Sequence, residues 1–450
     1  MFTVSIPHIL KELSLVFKDN GFQVYLVGGA IRDILLNKKA DDWDIATDAT
    51  PEEVSQLFKK IIPTGIAHGT VTIHYKSYQI ECTTFRTENG YSDGRRPDSI
   101  SYTATIEEDL SRRDFTMNAI GISLPDGKLV DPFSGRKDIK ASLIKTVGNP
   151  IERFSEDGLR PLRAVRFAAQ LGFSIEEATL SAIRPCLEIT AKVAKERIKD
   201  ELVKLLCSPK PSIGLRFMEE TGLLQLIIPE LQKCRGVEQK GMHKADVLDH
   251  LYATCDLCPP QIELRLAGLF HDIGKPAVRA LTPDGIYTFY NHEIESQKIV
   301  ERILKNLRFP TKTINTVSHL VRHHMFHYES NWTDAAVRRF IVRTETDYIE
   351  PLFALRLADA RAISGVQGEL TYLDEMRSRI HSLQKKQHAF NLKDLAINGK
   401  DLISQGIPAG PKTGLILEEL LETVLDEPEF NTREKLISCA LEIYKRKLNS

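Results

Sequence analysis

One stretch constrains this chain more than any other: residues 27–47, VGGAIRDILLNKKADDWDIAT. The apolar run Val24 to Val27 ends in Gly28-Gly29. A short helical stretch then carries Arg32 and Asp33, and a second strand opens with Asp42 and Asp44. Two glycines between strand and helix let the backbone approach a ligand, and the free N–H groups at the helix start suit phosphate. Asp42 and Asp44 are two residues apart, so on a strand both carboxylates project from one face. Hard oxygen donors of this kind suit Mg²⁺, which binds through one or two carboxylates plus substrate phosphates. The plain alternative is a glycine turn followed by a solvated acidic strand start, because each fragment alone is common.

The order Gly28-Gly29, Arg32-Asp33, Asp42-x-Asp44 resembles the opening signature of the tRNA nucleotidyltransferase and poly(A) polymerase family, class II branch. The resemblance recurs in order as far as residue 206. In the strand YQIECTTFR, Glu81 points away from Ile80 and Cys82. The family carries an acidic residue there, which would complete a two-metal site; a solvated edge-strand glutamate is the other reading. Gly90 to Pro97 (GYSDGRRP) is a polar, glycine-rich, basic excursion of the kind that forms a surface loop. The family's loop at this position is needed for adding the terminal A, and its full length here implies complete CCA or A addition. Residues 111–118, SRRDFTMN, resemble the next family motif. Ser111 is expected to cap a helix, with Arg112 and Arg113 facing a triphosphate. Asp114 and Asn118, at i and i+4, would then share one helix face. Residues 131–135, DPFSG, match a strand-ending structural turn.

From about residue 141 the pattern becomes helical. Its centre, SEDGLR at 155–160, matches the family motif that selects the incoming base. Cytosine and adenine both present an amino donor beside a ring-nitrogen acceptor. Asp157 can accept from the amino group while Arg160 donates to the ring nitrogen. Uracil and guanine reverse that order, so one fixed pair can select C and A with no template. Arg160, Arg163 and Arg166 form a basic stripe for triphosphate or primer, or else a solvated helix face. Pro161 belongs in a helix's first turn, which places a helix start near Asp157. Residues 192–206 read as an amphipathic scaffold helix.

Further along, His250, His271-Asp272 and Asp359 stand in the order that resembles the HD superfamily of metal-dependent phosphohydrolases. His292, with His323 or His324, would extend the set to two metals. Imidazole and carboxylate together suit Ni²⁺, Mn²⁺ or another transition ion. An inert relict of such a site is the alternative. Cys255 and Cys258 form a single CxxC, too few ligands for structural zinc. In the tail, NGKDL at 398–402 and PAGP at 408–411 mark helix starts that would hold RNA phosphate or simply pack.

Composition limits the remaining possibilities. The 450 residues suffice for roughly three domains. No apolar run approaches the ~18 residues of a membrane span, and the N-terminus lacks the marks of a signal peptide. Seven scattered cysteines fit free thiols in a cytoplasmic protein. A net charge of −1 confines any nucleic-acid surface to a local patch.

The resemblance implies an α+β, polymerase-beta-like nucleotidyltransferase domain at residues 1–140. An all-α neck (141–240), an HD domain (241–365) and a helical tail contacting tRNA (366–450) would follow. Its implied site comprises catalytic Asp42, Asp44 and Glu81, with Gly28, Gly29, Arg32, Arg112, Arg113, Asp114, Asn118, Asp157, Arg160, Arg163 and Arg166 around the nucleotide. The implied activity is addition or repair of the 3′-terminal CCA of tRNA from CTP and ATP with Mg²⁺. Two alternatives stand beside it: an A-adding or poly(A) polymerase, and an HD phosphohydrolase with an RNA-binding N-terminal module.

Overall fold

Short β-rich runs separated by turn residues build the first part of the chain, and long amphipathic helices build the rest. A computed structural model describes residues 6–40, 42–66, 69–89, 99–239, 245–364, 371–386 and 391–448. The loop expected at 90–97 lies outside them.

Nine strands occur in the N-terminal region: β1 (Val24–Val27), β2 (Asp44–Thr47), β3 (Ile61–Gly65), β4 (Thr70–Tyr75), β5 (Tyr78–Thr84), β6 (Arg86–Asn89), β7 (Ser99–Tyr102), β8 (Gly121–Ser123) and β9 (Leu129–Val130). Seven form one mixed sheet in the order β3-β4-β5-β2-β1-β8-β9, while β6 and β7 pair separately. β1 and β2 run antiparallel with Val27 opposite Asp44. β2 and β5 run parallel with Asp44 opposite Glu81. The first helix, His8–Asp19, buries Leu10, Leu13 and Phe17. Val27, Ala46, Phe85, Ile106, Leu110, Ala119 and Val147 form a core cluster that includes both β1 and β2.

The chain divides into two compact units: Met1–Lys233 with Lys305–Phe309, and Cys234–Leu304 with Pro310–Ser450. The four segments expected from sequence thus group in pairs, head with neck and HD segment with tail, and the break falls a few residues before 240. Contacts within the second unit explain the second pairing. Arg338 of helix Asp334–Thr344 donates from Nε to the Leu425 carbonyl at 2.7 Å, and Arg339 pairs with Glu422 and Asp426 on helix Pro411–Asp426. The tail also has its own core, including Leu402, Ile416, Leu420, Leu425 and Leu436. Among the described residues, no helix is long and apolar enough to cross a membrane.

Candidate functional site

The first site is built on the β1 turn. Gly28 has φ 78°, and a Cβ there would meet Asp44 Oδ2 at 2.9 Å, so glycine is required both by the turn and by the carboxylate beneath it. Asp44 is half-buried, whereas Asp42 and Glu81 are exposed. Burial, then the nearby Glu81 and Asp42 charges, push the Asp44 carboxyl up to about 6, against the opposing pull of Arg113. A carboxylate held at that cost among other carboxylates is the environment a divalent cation relieves.

Around it lies a cleft of about 470 Å³ lined by Gly28, Gly29, Asp44 and the guanidiniums of Arg32, Arg112, Arg113, Arg160, Arg163 and Arg197. Most of these cations are anchored from behind. Asp109, fully buried, accepts from Arg112 at 2.8 Å and from Arg113 at 3.2 Å. Arg113 Nε is itself buried with no hydrogen-bond partner among the described residues. Arg163 donates to Asp114 Oδ2 from both Nε and Nη2, at 2.8 and 2.6 Å. Burial works against the Asp114 charge, but Arg163 and the Asn118 amide hold its carboxyl down at about 2. Asn118 links Asp114 (3.2 Å) to Arg32 (3.1 Å), and Arg32 and Arg163 also lie over the Phe167 ring. Positive charge fixed in advance around a cleft is suited to a triphosphate.

A second, smaller cleft of about 220 Å³ lies on the Glu81 side of Asp44, lined by Thr70, Thr83, Arg86, Arg112 and Arg113. Asp44 therefore borders both.

Several expectations change in detail. Ser111 ends the helix Ile106–Ser111 and caps no helix start. Residues 112–118 continue as an irregular turn and a short 3₁₀ segment, Thr116–Asn118. The Asp114–Asn118 contact survives because it is made side chain to side chain. Pro161 sits in the first turn, as expected, but its helix starts at Arg160 and runs to Leu171. Asp157 ends the preceding helix, Pro150–Glu156. The basic stripe splits. Each residue turns about 100° around the helix, so Arg166 is rotated about 120° from Arg160 and leaves the cleft. It lies over Phe167 and donates to buried Glu201 at 2.5 Å, a packing role.

Two functional residues had no sequence signal. Arg197, on the helix read as scaffold, grips both Asp157 oxygens at 3.2 and 2.8 Å. Glu156 does the same for Arg160, whose other donors reach the Arg153 and Arg112 carbonyls at 2.8 and 3.1 Å. Asp157 and Arg160 are thus each held by a different partner, not by one another. Only the charged face of 195–206, read against the cleft, could have singled out Arg197.

The second unit brings His250, His271, Asp272, His292, His324 and Asp359 together, all buried. His250 comes from helix Val247–Leu257, the His271-Asp272 pair follows helix Ile262–Phe270, and Asp359 lies on helix Ile349–Ser364. Gly274 permits the approach of this turn to the helix carrying His292, since a Cβ would meet the His292 carbonyl at 2.6 Å. Three of the histidines are oriented alike: Nδ1 of His271, His292 and His324 lies 3.0, 2.8 and 2.7 Å from the carbonyls of Gly268, Phe289 and Val321. With Nδ1 donating, each Nε2 presents a lone pair to the cluster, the arrangement of metal-ligating histidine. Ligands about 2.1 Å from a tetrahedral ion stand about 3.4 Å apart. The Nε2 atoms of His250 and His271 lie 3.6 and 3.4 Å from Asp272 Oδ2, and 3.2 and 3.6 Å from Asp359 Oδ1. The residues present fit a divalent transition ion.

His323 stays outside this cluster. One residue of helical rotation turns it toward His319, 4.5 Å away between ring centroids. Burial, then His319, push its imidazole down to about 4. Cys255 and Cys258 are buried and belong to neither His/Asp group. In the tail, the Asn398 side chain accepts from Lys400 N, and Asp401 accepts from Asn398 N, so this helix start already caps itself.

A mixed sheet carrying aligned carboxylates on β2 and β5, with fixed guanidiniums around a Gly-Gly turn, defines a nucleotidyltransferase of the polymerase head type. Residues 24–145 match the family described as "Poly A polymerase head domain", 172–234 the "Probable RNA and SrmB- binding site of polymerase A", and 286–440 "tRNA nucleotidyltransferase domain 2 putative". The Enterococcus faecalis CCA-adding enzyme is 37% identical over 336 residues, covering 74% of this chain and 75% of that one. The chain belongs to the CCA-adding enzyme family. The Lactobacillus johnsonii member is 46% identical over 223 residues, 50% of this chain and 54% of its own, so that match spans about half the relative's length. The structure of the Bacillus stearothermophilus CCA-adding enzyme in complex with CTP superposes with a TM-score of 0.74 at 28% identity, covering 99% of this chain and 100% of that chain.

Proposed function

We propose that this chain adds or repairs the 3′-terminal CCA of tRNA from CTP and ATP, without a nucleic-acid template. The observation that carries the reading is the register of Asp44 against Glu81, at the wall of a cleft lined by anchored guanidiniums. Asp42, Asp44 and Glu81 would hold Mg²⁺, which supplies charge stabilisation to the attacking and leaving oxygens of an in-line displacement. Arg113, Arg112 and Arg32 bind the triphosphate, aided by the N–H groups after Gly28. The cleft on the Glu81 side leaves the primer 3′-hydroxyl room to reach the α-phosphorus across Asp44. Asp157 and Arg160 read the base edge, and because Arg197 and Glu156 fix them, their donor–acceptor order does not adapt to uracil or guanine. Rate then comes from positioning and electrostatics. Purified protein is incubated with tRNA lacking CCA and each labelled triphosphate in turn. The reading requires C then A incorporation, stopping at CCA; a long A tract from ATP alone would favour a poly(A) polymerase instead.

A second activity is supported by the histidine orientation in the other unit: a metal-dependent phosphohydrolase acting on small phosphate esters or 2′,3′-cyclic nucleotides with Ni²⁺ or Mn²⁺. Hydrolysis of bis(p-nitrophenyl) phosphate and of 2′,3′-cyclic AMP, each with added Ni²⁺ or Mn²⁺, tests it; no turnover with any divalent ion would make the cluster a relict.

A further inference from the structure

The six buried ligands of the second unit are not equivalent, and the two oxygens of Asp272 divide them. Oδ2 faces His250 and His271, at 3.6 and 3.4 Å, and those same two imidazoles share Asp359 Oδ1. Oδ1 faces the other pair, His292 at 3.0 Å and His324 at 3.6 Å. One set therefore offers four donors and the other three, with Asp272 common to both. Within each set the imidazoles converge: His250 Nε2 is 3.1 Å from His271 Nε2, and His292 Nε2 is 3.4 Å from His324 Nε2.

A cation already sits on one of the shared oxygens. Lys275, buried one turn beyond Asp272, places Nζ 2.5 Å from Oδ2 and 2.6 Å from Gln239 Oε1. Oδ2 belongs to the four-donor set. An ammonium and a divalent ion repel strongly at contact distance in a low-dielectric interior, so both cannot keep that oxygen. Gln239 provides the ammonium with a second acceptor to which it can withdraw. Asp359 differs, because its outer oxygen, Oδ2, is the one held by Arg356, at 2.9 Å, and its inner oxygen is left to the histidines.

Resting on the metal-site reading above, we infer that this unit binds two divalent transition ions bridged by Asp272, with unequal affinity, and that Lys275 sets the affinity of the four-donor position. The four-donor position fills first and the three-donor position second, where fewer protein ligands leave more room for water and a phosphate ester. Lys275 is a tethered competitor for the first ion. Its strength depends on how readily it withdraws to Gln239.

The test uses the full chain with Asp42→Ala and Asp44→Ala, which removes the carboxylates of the other cation site, stripped with chelator and titrated with Mn²⁺. Calorimetry gives stoichiometry and affinity; electron paramagnetic resonance reports whether neighbouring ions couple. The expected result is two ions per chain, at least tenfold apart in affinity, with a coupled spectrum appearing in the second step. His250→Ala should remove the tight step and His292→Ala only the weak one. Lys275→Met should tighten the first step about tenfold. Gln239→Leu, which denies Lys275 its second acceptor, should weaken it and so tests the same claim independently if Lys275→Met does not fold. No ion bound would overturn both this inference and the hydrolase reading. One ion per chain with hydrolysis intact would overturn the two-ion inference alone. Two ions of equal affinity would overturn the loading order, and a first step unmoved by both Lys275→Met and Gln239→Leu would overturn the role of Lys275.

Discussion

The two sites of this chain handle phosphate chemistry with opposite materials. The β2–β5 site offers oxygen donors, two of them exposed, beside guanidiniums whose charges are largely balanced by acids behind them. The His/Asp cluster offers mostly nitrogen donors, wholly buried, with three ring orientations fixed by backbone carbonyls. Exposed carboxylates suit a labile hard ion that arrives with its nucleotide; buried imidazoles suit a resident softer one. The specificity problem differs too. The first site must distinguish base edges, so its charges are locked in pairs, whereas the second presents ligands to an ion and carries a lysine as counter-cation. Preorganisation in the first site therefore lies in the second layer of residues, and in the second site it lies in the ligands themselves.

That contrast can be broken at several points. The largest expected effect is on base choice. Asp157→Ala should reduce discrimination of CTP and ATP against UTP and GTP by about 10³, since a mismatched buried polar pair is what rejects them. Steady-state kinetics with all four triphosphates measures it, and an equal loss for every base would make Asp157 structural. Arg166→Ala should act on stability and leave selectivity alone. It strands buried Glu201, and loss of one partner of a buried pair costs about 3 kcal/mol. Denaturant unfolding against the wild type checks this.

A third effect concerns pH. The Asp44 carboxyl is raised to about 6, so its proton is favoured by the fold. In the absence of a cation, the associated stability is present below the ordinary carboxylate value and is lost as pH rises through about 6. Cation binding runs the other way, because the ion needs the carboxylate. Apparent Mg²⁺ affinity for nucleotide addition should fall about tenfold between pH 7 and pH 5, read from Mg²⁺ titrations of the rate at saturating nucleotide. The smallest effect should come from Arg197→Ala, which frees the Asp157 side chain without removing it. Base discrimination should fall by about threefold to tenfold, and Arg197→Lys should restore part of it. No change in discrimination with normal folding would remove Arg197 from the site.

Much of this contrast was legible in the sequence because it is carried by short motifs. Gly28-Gly29 before a helix and Asp42-x-Asp44 on a strand each have local geometry, and the fold keeps it. β1, β4 and most of β5 follow from apolar runs between turn residues. The missed features all depend on contacts between distant segments. Residues 61–65 read as a connection because exposed positions leave β3 with no apolar signature. The Arg160–Arg163–Arg166 stripe looked uniform in sequence, but helical rotation sends its last member into the core. Arg197 closes on Asp157 from 40 residues away. His324 prevails over His323 through a single step of helix rotation, which the pair His-His does not specify.

The most direct test is a double dissociation on one set of full-length variants: Asp44→Ala and His271→Ala, each assayed for CCA addition to truncated tRNA and for Mn²⁺- or Ni²⁺-dependent hydrolysis of a cyclic nucleotide. The account predicts that Asp44→Ala loses nucleotide addition by at least about 10³ and keeps hydrolysis, while His271→Ala loses hydrolysis and keeps addition. If either variant loses both activities while folded by circular dichroism, or if Asp44→Ala still completes CCA, the assignment of two separate sites is contradicted.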